Sequence, residues 1–262
     1  MNIFITGGTT GIGYALTKYY LEQGHKVGIC ARDTNKFYSQ FPTIPANLFF
    51  YEVDVVNKER LHEAFINFCE HTTGKLDLVI ANAGIGLQKK SKLPDLSIAR
   101  EMINVNILGV INTLDSALQM MCIQNSSSEE KYSGHIVVIA SVAGFVGLPR
   151  TGVYSATKAF TLKLWESYAI DLKQYGLTFT AIAPGFIDTP LTQSNNHPMP
   201  FLMPAEKAAK LIVRAIEKKK ELYIFPFRMK IIILILYYLP RSIYKMIMRF
   251  YFNVLKRDYF QN

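Results

Sequence analysis

Along most of the chain, short uninterrupted apolar runs alternate with longer stretches in which apolar residues recur every three or four positions. The short runs are Asn2–Thr6, Lys26–Ala31, Leu48–Val53, Asp77–Ala81, His135–Ala140, Thr178–Ala183 and Leu222–Phe225. Bounded by Gly, Asp or Asn and without polar alternation, they predict strands buried on both faces, as in a parallel sheet. The periodic stretches Gly11–Gln23, Asn57–Glu70, Ala99–Gln124, Val153–Gln174 and Ala205–Glu217 predict helices. Repeated β-α-β implies right-handed crossovers, and so an α/β fold: a doubly wound parallel sheet, Rossmann-like, with helices on both faces. The polar run Asn125–Lys131 is expected to lengthen a surface connection.

The pattern changes after Phe225, which divides the chain into a domain over 1–225 and a tail over 226–262. Ile231–Leu239 is nine apolar residues long, too short for the roughly 20 that a bilayer span needs. Beyond Pro240, Ile243, Ile247, Phe250 and Val254 share one helical face, and Arg241, Lys245 and Arg249 form a basic row roughly opposite. Such an amphipathic helix suits the surface of an anionic membrane. The other reading is that the apolar run covers the cleft or a subunit interface while the basic row is merely solvated.

Charge sharpens this division. Of the net charge of +9, seven Lys/Arg and one Asp between Arg228 and Asn262 supply +6, leaving +3 on residues 1–227. The basic character belongs to the tail, so a nucleic-acid-binding body is not indicated. With 262 residues, 50% hydrophobic and 19% charged, the chain suits one α/β domain and excludes a disordered protein. Three irregularly spaced cysteines and no His pair at i, i+4 argue against a disulfide scaffold and a metal site. Met1–Thr6 reads directly as a buried strand, with no charged segment and long apolar stretch before it. A cytoplasmic protein is expected, peripherally membrane-associated if the tail binds lipid.

The first strand runs into Thr6-Gly7-Gly8-Thr9-Thr10-Gly11-Ile12-Gly13, and a helix follows. Glycines allow a tight turn and close approach of a pyrophosphate, and a helix N-terminus offers unpaired N–H groups and partial positive charge. Asn82-Ala83-Gly84 follows the fourth strand, and Asn106 sits in Val105-Asn106-Ile107-Leu108-Gly109. Ser141 ends the fifth strand, Tyr154-Ser155-Ala156-Thr157-Lys158 comes thirteen residues later, and Pro184-Gly185-Phe186-Ile187-Asp188-Thr189 closes the sixth.

With these motifs in this order over roughly residues 1–225, the chain resembles the short-chain dehydrogenases/reductases, in their ordinary, non-extended form. Ala81 stands where the family motif has a first Asn before Asn82. The resemblance implies an NAD(P)-dependent oxidoreductase that interconverts a carbonyl and an alcohol, and it implies a homo-oligomer. It assigns Gly7, Thr9, Thr10, Gly11, Ile12 and Gly13 to the cofactor's pyrophosphate end, Asp54 and Val55 to adenine, and Asn82, Ala83 and Gly84 to the ribose. Pro184, Gly185, Ile187 and Thr189 fall to the nicotinamide. Tyr154 and Lys158 bind cofactor and also act, with Asn106 and Ser141, as the catalytic set.

Charge argues which dinucleotide. NAD sites place a carboxylate at the end of the second strand for the ribose 2′-OH. Ala31 takes that position here and Arg32 follows; a guanidinium would bind a 2′-phosphate with charge-assisted bonds. NADP is therefore favoured over NAD, with Asp33, two positions beyond the usual site, as the rival ribose ligand. Asp54 also has the alternative of capping the helix near Asn57.

Tyr154 and Lys158, four apart, share a helical face. A tyrosine has an unperturbed pKa of about 10, and a neighbouring ammonium favours the phenolate and lowers it. Ser141 can donate to a substrate oxygen, and by resemblance Asn106 orients a water leading from Lys158 to solvent. Phe145, Val146, Leu148, Phe186, Leu191, Phe201 and Leu202 are expected to shape an apolar pocket for a small carbonyl or alcohol substrate. A nucleotide-binding scaffold without turnover is the rival from another class; it would not require all four of Asn106, Ser141, Tyr154 and Lys158.

Overall fold

The structure is a computed structural model describing the chain except residues 73, 87–95, 128–133, 194–197 and 260–262; within helices, the side chains of 123–127 and 254–259 are likewise outside the description. The elements run β1 (Asn2–Thr6), α1 (Gly11–Glu22), β2 (Lys26–Ala31), α2 (Thr34–Gln40), β3 (Leu48–Glu52), α3 (Lys58–His71) and β4 (Leu78–Ala81). Then come α4 (Ala99–Ile103), a π-helical turn (Asn104–Leu108), α5 (Gly109–Ser127), β5 (His135–Ile139), α6 (Gly152–Asp171) and β6 (Thr178–Pro184). After these follow β7 (Ile187–Asp188), α7 (Pro190–Gln193), β8 (Met203–Pro204), α8 (Ala205–Glu217), β9 (Leu222–Phe225), α9 (Phe227–Tyr238) and α10 (Arg241–Tyr259).

Seven strands form one parallel sheet in the order β3-β2-β1-β4-β5-β6-β9. Successive side chains point to opposite faces, and the two core layers show it. Ile3 and Ile5 face the layer under α1 and α8, while Phe4 faces the layer under α3, α5 and α6. Val137 and Ile139 divide from Ile136 and Val138 in the same way. Both faces being covered, the strands need no polar alternation. The chain leaves β1 toward β2 on one side and reaches β4 on the other, so a crevice opens beyond the carboxyl ends of β1 and β4, where doubly wound sheets place ligands.

Three expectations change. The long helix expected over Ala99–Gln124 is broken by the π-helical turn at Asn104–Leu108, which no apolar spacing announces. Asn125–Ser127 extend α5 instead of forming a loop, and the rest of that polar run lies outside the described residues. The short helix α2 went unpredicted; Asp33 caps it by accepting from the Lys36 N–H at 2.9 Å.

The tail folds back onto the domain. Met229, Ile233 and Tyr244 pack with Val142, Val146, Ala183 and Ile224, joined by the partly buried Phe145, Leu148 and Phe186. The Tyr244 hydroxyl donates to the Gly147 carbonyl at 2.6 Å, and Phe145 meets Tyr237 edge-on. One face of α9 and α10 therefore packs against the segment that follows Ser141. Ile243, Ile247 and Phe250 stay exposed on the other; the Val254 side chain lies outside the description. No helix of the described residues is long and apolar enough to cross a membrane.

Candidate active site

The glycine-rich turn joins β1 to α1. Gly7 has φ +69°, where an L side chain is strained, and a Cβ on Gly13 would lie 2.1 Å from the Gly7 carbonyl oxygen. Asn82, just past β4, pins this turn. Its amide donates to the carbonyls of Thr6 and Gly7 at 3.0 and 3.1 Å, and the N–H groups of Asn82 and Ala83 donate to the Thr6 hydroxyl. The two central strands are thereby tied together where the crevice begins. Thr10, the N-cap of α1, makes no side-chain cap bond, and the first turn of α1 holds no acidic residue. The helix thus presents uncapped N–H groups with no competing carboxylate, a fit to a pyrophosphate.

One cleft gathers Gly7, Thr10, Gly11, Ile12, Asn82, Ala83, Gly84, Ser141, Tyr154, Lys158, Pro184, Gly185, Ile187 and Thr189. Leu191 lines it too. Ile139, Ala140, Pro190 and Thr192 also line it and were not foreseen. Thr192 had a signal in Thr189-Pro190-Leu191-Thr192, a turn that opens a helix. Its hydroxyl accepts from the Thr189 N–H at 3.0 Å and donates to the Ile187 carbonyl, fixing the segment that carries Ile187 and Thr189.

Thr9, Gly13, Arg32, Asp54, Val55 and Asn106 stand outside this lining. Thr9 is buried, so of the two turn threonines it is Thr10 that faces the cleft. Arg32 follows β2 half-exposed, 3.7 Å from the Asp54 carboxylate. Asp54 accepts from the Val56 N–H at 3.0 Å, and Val55 is buried. The cap of α3 is Asn57, which accepts from the Arg60 N–H, so the capping alternative for Asp54 falls away. Asp33, the rival ribose ligand, uses one carboxylate oxygen to cap α2.

The reacting groups come from three elements. Ser141, after β5, accepts from the Ala143 N–H at 3.2 Å and lines the same cleft as Tyr154. The Lys158 ammonium, 5.8 Å from the centre of the Tyr154 ring, donates to the Ile139 carbonyl at 2.9 Å. Burial pulls this ammonium down from 10.5 to about 8. Burial raises the Tyr154 phenol. Burial, not the Lys158 ammonium, governs the phenol in the unliganded protein, and the opposing influence comes from Ser141.

Asn106 is fully buried in the π-helical turn. Its oxygen accepts from the Ile85 N–H at 2.8 Å; its amide donates to the Ile85 carbonyl at 2.8 Å and to the Thr157 hydroxyl at 3.1 Å. Both amide protons are used, so the side chain is a clamp between the β4 loop and α6. A Cβ added to Gly84 would lie 3.4 Å from both the Asn106 oxygen and the Lys158 ammonium. These two side chains therefore converge behind Gly84.

The apolar pocket is smaller than expected. Phe145, Val146, Leu148 and Phe186 turn to the tail, and Phe201 and Leu202 are exposed. Among the foreseen apolar residues, Leu191 lines the cleft.

The short chain dehydrogenase family model matches residues 1–200. An uncharacterized oxidoreductase of Myxococcus xanthus is 32% identical over 230 residues, 87% of this chain and 88% of the relative. A solved structure named ElxO, with NADP bound, is 29% identical with a TM-score of 0.70, over 85% of this chain and 96% of that one. A short chain dehydrogenase of Burkholderia cenocepacia in complex with NADP shares the fold at a TM-score of 0.77 and 22% identity, over 93% and 95% of the two chains.

Proposed function

The chain belongs to the short-chain dehydrogenase family, and from that premise we propose that it is an NADP-dependent oxidoreductase interconverting a carbonyl and an alcohol, with Tyr154 as the proton donor and acceptor. The observation that carries this reading is convergence: Ser141, Tyr154 and Lys158 line the same cleft as the uncapped N-terminus of α1.

The turn Gly7–Gly13 holds the pyrophosphate, Asn82 to Gly84 the nearby ribose, and Pro184, Gly185, Ile187 and Thr189 the nicotinamide end. Arg32 favours a 2′-phosphate, and no carboxylate at the end of β2 opposes it. The NADP reported for ElxO supports the same choice. When bound, the cofactor supplies or accepts the hydride.

The rest is this chain's own work. In reduction, negative charge grows on the substrate oxygen, and the Ser141 hydroxyl donates to it. The Tyr154 Oη proton moves to that oxygen. The Lys158 ammonium, mostly protonated below about pH 8, stabilises the phenolate left behind. Asn106 acts through its clamp on Ile85 and Thr157, the residue preceding Lys158, and so sets where the ammonium stands. Oxidation of an alcohol reverses these steps. The substrate is a small carbonyl or alcohol that meets Leu191, and the enzyme is a homo-oligomer.

NADPH consumption by the purified full chain against a panel of aldehydes and ketones tests the proposal. Turnover with at least one carbonyl, faster with NADPH than with NADH, is expected. Tight NADPH binding without turnover on any member would favour a nucleotide-binding scaffold.

A further inference from the structure

Eleven of the twenty-four exposed large apolar side chains among the described residues fall between 227 and 251. They are ordered. Phe227, Ile231, Ile235 and Tyr238 recur at spacings of four, four and three along α9, and Ile243, Ile247 and Phe250 at four and three along α10. Each set lies on one helical face. The row at Met229, Ile233 and Tyr244 is already packed against the domain, so the exposed rows are a second apolar face on the same helices. Phe227 and Phe250 are each 72% exposed and Tyr238 79%, against the usual scatter of isolated surface apolar residues.

Charge identifies the occupant. Arg228 lies beside the outward row of α9, and on α10 Arg241, Lys245 and Arg249 form the polar side roughly opposite the outward row, as in a helix that lies in a membrane interface. The two helices together carry an excess of positive charge. An anionic bilayer complements it, and exposed Tyr and Phe suit the boundary between headgroups and acyl chains. Neither helix is long and apolar enough to span, so the face lies flat. Phe201 and Leu202, both exposed, extend it: the Arg228 guanidinium is 5.8 Å from the centre of the Phe201 ring.

We propose that the outward face of α9 and α10 is a docking surface for an anionic lipid bilayer, and that docking sets Phe201 and Leu202 beside the lipid. This does not rest on the oxidoreductase reading.

Co-sedimentation of the full chain with phosphatidylcholine vesicles, with and without phosphatidylglycerol, tests it. Pelleting is expected with phosphatidylglycerol at low salt, weakening as salt is added. Arg241→Gln/Lys245→Gln/Arg249→Gln should lower the partition coefficient by about a hundredfold, on the scale of 1 kcal/mol per surface cation. Phe227→Ser/Tyr238→Ser/Phe250→Ser should abolish pelleting while thermal melting and NADPH binding stay as in the parent, since these side chains are exposed. No pelleting by folded parent protein would overturn the proposal, as would equal pelleting with and without phosphatidylglycerol. So would a parent dimer, seen by light scattering, that becomes monomeric in the serine variant without any lipid binding, because a second copy would then cover this face.

Discussion

The Lys158 ammonium stands 5.8 Å from the centre of the Tyr154 ring and spends a hydrogen bond on the Ile139 carbonyl. The Ser141 hydroxyl favours the phenolate and opposes the rise that burial imposes on the Tyr154 phenol, while the lysine stands over the ring. The proton thus sits between a neutral donor and a buried cation.

Tyr154→Phe removes that proton and little else. Turnover should fall by two or more orders of magnitude, since general acid catalysis contributes about 10²–10⁴-fold. NADPH affinity, followed by fluorescence titration, should stay within a few-fold. Near-normal turnover would remove Tyr154 from the chemistry.

Lys158 should cost the unliganded protein stability. Its value falls from 10.5 to about 8 on folding, a penalty of about 3 kcal/mol for holding the charged form. Below pH 8 both states carry the proton and the penalty is complete. Between pH 8 and 10.5 the unfolded chain binds a proton that the folded one has released, so stability rises with pH until the penalty is gone. Lys158→Met should therefore stabilise the protein at neutral pH by about 2 kcal/mol, after about 1 kcal/mol is offset by the Ile139 carbonyl losing its partner. Urea unfolding should show the gain shrinking toward about pH 10. Tyr154, raised by burial, affects stability in the opposite sense and only above its ordinary value of 10.0; it is common to both proteins and cancels in the difference. A variant less stable than its parent at neutral pH would contradict this.

Arg32→Ala should separate the two dinucleotides. A charge-assisted hydrogen bond contributes about 1.5–3 kcal/mol, so NADPH should bind about 10- to 150-fold more weakly while NADH changes little. The ion pair with Asp54 is long and half-exposed, so its loss adds little stability cost of its own. Equal losses for both cofactors would make Arg32 structural.

Two glycines should respond in opposite ways to alanine. At Gly13 the new methyl meets the Gly7 carbonyl oxygen at 2.1 Å and the Asn82 amide at 2.5 Å, groups that hold the turn in shape. Destabilisation of about 1–3 kcal/mol and loss of NADPH binding are expected. At Gly147 a methyl meets nothing within 4 Å, so Gly147→Ala should melt within a degree or two of the parent. Calorimetry with and without NADPH reads both.

The frame was legible because each link in it is local. Apolar runs such as His135–Ile139 mark strands that need no wet face, and Asn82 and Tyr154 lie in segments whose order along the chain is the order of the fold. What escaped depends on contacts that spacing cannot carry. The π-helical turn around Asn106 is held from outside the helix, by Ile85 and Thr157. Whether Phe145 and Phe186 line a pocket or back a tail depends on where residues some fifty to ninety positions later come to rest. The tail's two readings stayed open for the same reason: apolar residues occur on more than one side of α9, and such a helix presents more than one face to be covered.

The bond between Tyr244 and Gly147 joins positions 97 apart, and this sets a timetable for synthesis. A ribosome releases the chain from its N-terminus, and structure forms in that order. β1, β2, β3 and β4, with the glycine turn and Asn82, are all delivered within the first 84 residues. The segment behind Ser141 must wait for β9, α9 and the first turn of α10 before its apolar side chains are covered. A nascent chain halted after Lys158 but before residue 244 would hold the glycine turn and Asn82 beside a reacting end whose apolar backing is still missing. The backing of the reacting end is thus made of residues that are synthesised well after the reacting groups themselves.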